Sequence, residues 1–276
     1  MKGKFKLNHL IVHLILLVGV IVVVFPFAWM ILTSFKTSGE AMKIPPTIFP
    51  EKFVTTAYHT IVTSAIPFAT VYMNTIINTV VTTLVQIVFC SMAGYAFGRI
   101  EFPFKNAIFI LVLSVLMVPG QIFLLPQYQI VQKLGLLDTI PALFLPNLFS
   151  AFGTFLLRQF FMSLPKELEE AAIVDGCGRF RIFAQIMLPL IKPGIVAMSI
   201  FTIKFAWNDF MWPLIVNTSM NKMTLGPALS TLQVQYTTEY PMQMAGAVLA
   251  VLPLVVMFFI FQKQFIEGVA QSGIKG

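Results

Sequence analysis

The chain has 276 residues, of which 58% are hydrophobic and 11% are charged, and its mean hydropathy is +0.87. An apolar surface of this size cannot be hidden in one water-soluble core, so lipid must be the solvent for much of the protein. The net charge of +7 comes from cations scattered between apolar runs. It therefore does not indicate a nucleic-acid-binding face.

Six apolar runs are long enough to cross the ~30 Å hydrocarbon core of a bilayer. They cover residues 10–32, 71–98, 107–130, 139–161, 194–216 and 244–265. The first run could be mistaken for a signal peptide, but it is too long and lacks a small-x-small cleavage site. The sequence therefore predicts an all-α, polytopic membrane protein with six transmembrane helices.

The remaining segments complete the predicted organisation. Residues 1–32 form an N-terminal tail and the first helix, and residues 33–70, which are polar and rich in Pro, form an extracytoplasmic loop with a short interfacial helix at most. Residues 71–265 form a core of five transmembrane helices that contains a polar loop at 162–193, and residues 266–276 form a C-terminal tail.

The distribution of Lys and Arg predicts the orientation of the chain. One side of the predicted membrane collects twelve of these residues, namely Lys2, Lys4, Lys6, Arg99, Lys105, Arg158, Lys166, Arg179, Arg181, Lys192, Lys263 and Lys275. The other side collects five, namely Lys36, Lys43, Lys52, Lys133 and Lys222. Cytoplasmic loops carry the excess of positive charge, so both termini and the 162–193 loop are predicted to be cytoplasmic.

Helix-breaking residues recur inside the predicted spans. In lipid, Pro is tolerated only where neighbouring helices or a water-lined cavity satisfy the freed carbonyl groups. We therefore expect a bundle of kinked helices that moves. The breakers are Pro119, Pro126, Pro141, Pro146, Pro213 and Pro253. Small residues such as Gly94 and Gly246 predict close helix contacts.

Two ionisable residues, Lys204 and Asp209, lie in the fifth predicted span beside Trp207 and Asn208. Five residues correspond to about 140° of rotation on a helix, so the two charges do not share a face. A charge in this position usually faces protein or water. Asp209 is either a polar group lining a path or an interfacial anchor like the neighbouring Trp residues.

No catalytic set is visible in the sequence. The G-x-x-x-x-G-K-[ST] loop that binds ATP phosphates is absent, and no group of His, Cys and carboxylate residues predicts catalysis or a metal site. If ATP drives this protein, another chain binds it. Cys90 lies in an apolar span and Cys177 in the charged loop, so no disulfide is expected between them.

The most highly charged stretch is residues 165–193. Pro165 can begin a helix, the acids that follow suit its N-terminus, and Gly176 provides a stop before a second apolar face. Pro189 and Pro193 are expected to close this helix-turn-helix unit. The pattern alone fits either a docking element for another protein or an amphipathic loop packed on its own bundle.

One motif in this stretch is specific. The pattern of Glu170-Ala171-Ala172, three residues, Gly176, nine residues, then Ile186, one residue and Leu188-Pro189 resembles the EAA loop of the permease subunits of bacterial ABC importers. Further similarity to the sugar-uptake branch, related to the second permease of the maltose transporter, is carried by Asn74-Thr75, residues 93–97, 117–121, 135–139, 155–161, 207–210 and 272–276. The resemblance implies the type I (MetI-like) ABC importer permease fold.

The resemblance also implies roles for residues. It places an ATPase-coupling helix in the loop, formed by Glu167, Glu170, Ala171, Ala172, Asp175, Gly176 and Pro189. It places a C-terminal ATPase contact at Gly273, Lys275 and Gly276. Candidate residues of the translocation path are Asn74, Gln121, Asn208 and Asp209. No catalytic residue and no metal ligand is implied.

The partners implied are a second, non-identical permease, two ATP-binding cassette subunits that hold ATP and Mg, an extracytoplasmic sugar-binding protein and membrane lipid. The implied function is ATP-driven sugar import, with an oligosaccharide as the expected substrate and the cell membrane as the location. Two alternatives stay open: an ABC importer permease for another solute, such as glycerol phosphate, polyamine or phosphate, and a secondary transporter.

Overall fold

The computed structural model describes residues 2–232 and 239–273, with side chains described at 9–63, 66–232 and 239–262. Within these residues the chain is helical and has no strand. The helices are α1 (Lys2–Ser34), α2 (Ser38–Ala41), α3 (Thr56–Thr60), α4 (Phe68–Arg99), α5 (Lys105–Ser114), α6 (Leu124–Lys133), α7 (Ile140–Phe144), α8 (Ala151–Ser163), α9 (Glu167–Val174), α10 (Arg179–Arg181), α11 (Leu188–Leu190), α12 (Lys192–Trp207), α13 (Met211–Val216), α14 (Leu225–Ser230) and α15 (Tyr240–Gly273).

Three helical stretches are long and apolar enough to cross a membrane without interruption: His9–Ser34, Phe68–Arg99 and Tyr240–Gln262. Three further candidates are pairs of helices joined at a sharp bend: Lys105–Met117 with Gly120–Lys133, Ile140–Asn147 with Ala151–Ser163, and Arg179–Leu190 with Lys192–Trp207. If each pair is one span, the described residues supply six spans by length and composition, which is the number that the sequence predicts.

Two of these bends lie within the predicted spans 107–130 and 139–161, for which the helix-breaking prolines predict kinks. The first pair turns by 99° and the second by 50°. At the 99° bend, Val118 is extended, with ψ of 128°, immediately before Pro119. A residue that precedes Pro is pushed out of the helical region by the Pro ring, so the helix must end there.

The predicted span at 194–216 is interrupted. Helix α12 ends at Trp207, and α13 begins only at Met211. By length and composition alone, α12 reaches membrane length together with Arg179–Leu190, which precedes it at an angle of 77° and belongs to the polar loop. The polar residues Asn208 and Asp209 therefore occupy a break between helices rather than the middle of one.

Contacts divide the chain into two units, and Met1–Phe68 with Ala228–Pro253 form the first. Its loop after α1 contains the short helices α2 and α3 and is held by buried charges. Lys36 is 3% exposed, donates to the Thr47 carbonyl at 2.5 Å and lies over the Trp29 ring at 4.7 Å. Glu40 accepts from the Thr47 hydroxyl at 2.9 Å and from the Glu51 amide at 2.8 Å.

The second unit comprises Ala69–Pro227 and Leu254–Gly276. Its central helix, α4, carries a buried polar stripe on an otherwise apolar surface. The Gln86 amide donates to the Asn147 carbonyl at 2.6 Å and accepts from the Thr202 hydroxyl at 2.9 Å. Members of the stripe recur every three or four residues and are Asn74, Thr75, Asn78, Thr79, Thr82, Thr83 and Gln86. Hydrogen bonds of this kind fix one helix against another where water cannot compete.

Glycine permits close packing between α4 and α8, as the sequence predicts for Gly94. A Cβ on Gly94 would lie 3.0 Å from the Arg158 backbone nitrogen and 3.1 Å from the Leu157 Cβ. Helices α8 and α12 approach in the same way, since a Cβ on Gly194 would meet the Phe160 ring at 2.5 Å. These contacts hold α4, α8 and α12 together.

Candidate functional site

The polar loop folds as the predicted helix, turn and second helix. Helix α9 begins at Glu167 and has Glu167, Glu169 and Glu170 in its first turn, where the helix dipole favours negative charge. Its start corrects the expectation for Pro165, which precedes the helix and its N-cap Lys166. Gly176 has φ of +78°, a left-handed conformation that favours glycine and lets the chain reverse.

The second helix continues beyond the proline that was expected to end it. It runs through α10, a π-helical stretch at Ile182–Met187 and α11, so Pro189 lies inside it. The 77° bend follows α11 and leads into α12, whose first turn contains Pro193. Pro fits a first turn because its missing amide proton has no partner to lose there.

One face of the loop packs on the membrane helices. Ala172 is 4% exposed and lies in a cluster with Met187, Phe183, Tyr95 and Phe161. The Tyr95 ring lies 5.4 Å from that of Phe161 and 5.3 Å from that of Phe183, measured between ring centroids. The loop is therefore fixed to those ends of α4 and α8 that are predicted to lie on the cytoplasmic side.

A buried ion pair adds to this attachment. Arg99, the last residue of α4, approaches Glu169 with its Nε 3.3 Å from Oε2, and their side chains are 5% and 14% exposed. The same guanidinium donates to the carbonyl groups of Leu164 and Pro165, both at 2.9 Å. Arg99 thus binds both the segment that enters α9 and the first turn of α9.

The opposite face of the loop is uncovered. Glu170 and Ala171 are exposed, and two apolar side chains beside them are strongly exposed: Val174 at 87% and Phe180 at 72%. Exposed apolar surface of this kind commonly marks an interaction site. The packing interpretation therefore holds for Ala172, which lies against the protein's own bundle. Glu170 and Ala171 are exposed, and the docking interpretation stays a prediction for them.

A cavity of about 680 Å³ lies beside α9. Its walls include Arg158, Arg179, Glu170 and the Lys105 end of α5. Arg158 is held in place because its Nε donates to the Phe97 carbonyl at 3.1 Å. The cavity thus gives a mixed-charge surface next to the exposed acids of the loop.

The remaining coupling residues of the prediction, Glu167, Asp175, Gly176 and Pro189, are exposed. The C-terminal contact is not placed: Lys275 and Gly276 lie outside the described residues, and only the backbone of Gly273 is described.

The candidate path residues are not brought together as one group. Asn74 is 5% exposed, and its amide donates at 2.9 Å to the carbonyl groups of both Asn221 and Met223, which gives it a packing role. Gln121 is exposed on the 3-10 turn Gly120–Phe123. Asn208 and Asp209 lie side by side in the break after α12.

Two structural features, the polar stripe on α4 and the contacts of Arg99, were not predicted although their residues stand out in the sequence. The polar stripe on α4 was detectable because Asn, Thr and Gln recur at helical spacing inside an apolar run. Arg99 closes the second predicted span, where the sequence indicated its part in the charge distribution and in the family resemblance but no contact. Its partner Glu169 could not have been identified, because 70 residues of chain separate the two in sequence and only the fold joins them.

Comparisons with known proteins agree with this architecture. A family model described as "Binding-protein-dependent transport system inner membrane component" matches residues 90–271. The arabinooligosaccharides transport system permease protein AraQ of Halalkalibacterium halodurans is 37% identical over 92% of each chain. The sn-glycerol-3-phosphate transport system permease protein UgpE of Rhizobium meliloti is 31% identical over 98% of each chain.

The fold has a solved counterpart. A crystal structure of a bacterial ABC transporter involved in the import of the acidic polysaccharide alginate matches with a TM-score of 0.83. The match covers 94% of this chain and 97% of that chain at 19% identity. The predicted ABC importer permease fold is confirmed by this likeness and by the family match. The chain therefore belongs to the binding-protein-dependent transport system inner membrane components, the membrane-embedded and non-catalytic permease subunits of ABC importers.

Proposed function

We propose that this permease imports a sugar or sugar derivative and is driven by ATP hydrolysis in cytoplasmic partner subunits. The partners would be one non-identical permease, which shares the translocation path, two ATPase subunits that bind ATP and Mg, and an extracytoplasmic sugar-binding protein. Both termini and α9 would face the cytoplasm, as the distribution of Lys and Arg predicts.

The single observation that supports coupling through α9 is the division of this helix into two faces. Ala172 and Glu169 anchor it to the membrane helices, while Glu170, Ala171 and Val174 remain uncovered. A helix that is rigidly attached on one side and exposes apolar surface on the other can transmit the movement of a docked partner. Closure of the ATPase pair would thereby open the permease to the outside, which is alternating access.

Sugars are proposed as substrates because of the names of the relatives. The AraQ proteins of Halalkalibacterium halodurans and Bacillus subtilis, 37% and 34% identical, are arabinooligosaccharide permeases by name. An oligosaccharide is therefore the first candidate. A second candidate is a glycerol phosphate, since the UgpE relatives cover the same length of chain at 30–31% identity.

The test of coupling is Glu170→Lys, which reverses a charge on the exposed face without touching the buried one. We expect the variant to reach the membrane in normal amount. Less ATPase subunit should copurify with it, and most sugar-dependent uptake should be lost. Glu51→Lys makes the same charge change in the loop after α1 and serves as the matched control. Normal uptake and normal ATPase recovery with Glu170→Lys would refute the assignment.

A second test concerns the chain end. Deletion of residues 273–276 is expected to reduce substrate-stimulated ATP hydrolysis more than assembly of the complex. Unchanged stimulation after the deletion would argue against a C-terminal ATPase contact.

A further inference from the structure

A second cavity, of about 380 Å³, lies between α12 and α15 in the unit formed by Ala69–Pro227 and Leu254–Gly276. Its polar lining residues are Lys204 and Asn208, and its apolar walls include Phe258 and Phe261. A concave, mostly apolar space with a few convergent polar groups is the usual form of a small-molecule site, and such sites have volumes of roughly 300–1,000 Å³. The cavity therefore has the size and lining of a ligand site.

Lys204 is the unexplained group in this cavity. It is exposed and takes part in none of the ion pairs found among the described residues. It lies about 18 Å along α12 from Lys192, which is far from the start of the span. An unpaired Lys at such depth costs at least ~2.5 kcal/mol by insertion scales. A position in the last turn of a helix recovers only ~0.3–1 kcal/mol through the helix dipole.

Asp209 does not compensate this charge. It lies five residues after Lys204, and its Oδ1 accepts from the Trp212 backbone nitrogen at 3.4 Å. The two groups form no ion pair in the described part of the chain. The ammonium group of Lys204 is thus available to an anion that enters the cavity.

The neighbouring groups suit a sugar. The Asn208 amide nitrogen donates to the Lys204 carbonyl at 2.7 Å, which leaves its Oδ1 free to accept from a hydroxyl group. The Phe258 and Phe261 rings give flat apolar surfaces on which the C–H faces of a sugar can lie. Together the four side chains offer a cation, an acceptor and apolar faces.

We propose that Lys204 binds an anionic group, a carboxylate or a phosphate ester, on the sugar derivative that this permease carries, with Asn208 accepting from a hydroxyl group. This inference rests on the proposed function, because it assigns the substrate class of the same importer. A sugar carboxylate and a sugar phosphate ester share the recognised chemistry, which is a negative charge on a polyol of sugar size.

The experiment measures uptake by the complete transporter in its native host, with variants made on the chromosome. The probes are a polyol phosphate ester, an oligouronide and a neutral pentose oligosaccharide, each radiolabelled. Wild type is expected to prefer one of the two anionic probes. The preferred probe shows whether the anionic group of the substrate is a phosphate ester or a carboxylate. Lys204→Gln is expected to reduce its uptake at least tenfold, while Lys204→Arg retains most of it.

Two controls separate this role from others. Recovery of the assembled complex with Lys204→Gln is expected to equal that of wild type. Reduced recovery would overturn the proposal, because it would indicate that Lys204 pairs with an acid of the second permease or with a lipid phosphate. Lys222→Gln removes a Lys outside the spans and is expected to leave uptake unchanged.

Failure of this inference differs from failure of the proposed function. If wild type and Lys204→Gln import the neutral oligosaccharide equally well, and Glu170→Lys abolishes that import, the anionic assignment is wrong and sugar import stands. If none of the three probes is imported or stimulates ATP hydrolysis, both are contradicted.

Discussion

Arg99 joins the end of a membrane helix to the loop that is proposed to carry force. Its planar guanidinium donates to two carbonyl groups and faces a carboxylate at the same time, an arrangement that Lys cannot reproduce. Hydrogen bonds from charged donors each contribute about 1.5–3 kcal/mol. Arg99 is therefore a positioning residue whose removal should loosen α9 without changing its exposed face.

We predict that Arg99→Ala destabilises the attachment of α9 by about 3 kcal/mol, since it leaves the partly buried Glu169 without its ion-pair partner. Limited trypsin digestion of the purified transporter should then cleave faster after Arg179 and Arg181. Sugar-dependent ATP hydrolysis should fall while basal hydrolysis persists. Arg99→Lys should give an intermediate result.

Lys105→Ala provides the control for Arg99, because it removes an ion pair whose partner Glu101 is 89% exposed. Such surface pairs contribute only ~0–1 kcal/mol. Equal protease sensitivity of Arg99→Ala and Lys105→Ala would show that Arg99 does not anchor the loop.

Asp138 ties the turn before α7 to the segment after α13. Its carboxylate accepts from the Ser219 hydroxyl group, from the Ser219 amide at 2.8 Å and from the Thr218 amide at 3.0 Å. Hydrogen bonds from Ser219 are the main reason that the pKa of Asp138 lies below its usual value. The charged form is therefore the one that the folded protein stabilises.

We predict a pH dependence with a defined sign. A lowered pKa gives stability that is complete above the unfolded pKa of about 3.9 and is lost as pH falls through the lower folded value. The melting temperature of the purified transporter should thus decline more steeply below about pH 4 in wild type than in Asp138→Asn. Parallel curves for the two proteins would contradict the assignment. Ser219→Ala, which removes one donor, should lie between them.

The sequence predicted some of these residues and missed others for identifiable reasons. Glu170 and Gly176 belong to a local motif, so their positions in a helix and a turn could be derived from spacing alone. The contact between Arg99 and Glu169 depends on how α4 and α9 meet, which no local pattern records. The resemblance placed Asn74 among the candidate path residues, and its amide donates to the carbonyl groups of Asn221 and Met223, contacts that no local pattern records.

For the helices, the sequence predicted where the apolar segments lie better than where they bend. Pro119 signalled a break, and the helix ends before it. The break after Trp207 has no Pro at that point and follows from polar residues that leave the helix. Pro189, by contrast, was expected to end a helix and lies within one. Whether Pro interrupts a helix depends on its position within the turn.

We predict that Gly94→Ala destabilises the packing of α4 on α8 by about 1–3 kcal/mol, the usual cost of overpacking. The new Cβ would lie 3.0 Å from a backbone nitrogen, which cannot rotate away as a side chain can. Thermal unfolding of the purified transporter measures the loss. The matched control is Gly19→Ala in α1, where nothing lies within 4 Å of the added atom. Equal melting temperatures for the two variants would contradict this role of Gly94.

The two cysteines of the chain can report its orientation in the membrane. The two cysteines are free, and they differ in exposure: Cys90 is buried in α4, whereas Cys177 is partly exposed in the turn after α9. Because these are the only two cysteines in the sequence, the native chain carries one natural reporter for the loop.

We predict that a membrane-impermeant maleimide labels Cys177 in inside-out vesicles and not in intact cells, because α9 is expected on the cytoplasmic side. Cys90→Ala should label like wild type, and Cys177→Ala should not label. Bound ATPase subunits should slow the reaction by covering α9. Labelling in intact cells alone would invert the predicted topology.

The uncovered side of α9 has a consequence for the life of the protein in the cell. Before assembly, Val174 and Phe180 expose apolar side chains to water. Such a surface promotes aggregation and recognition by quality-control proteases. A newly inserted subunit that fails to meet its ATPase should therefore be short-lived. Cellular abundance of the subunit would then follow the supply of its motor, which would keep the stoichiometry of the transporter balanced without a dedicated regulator.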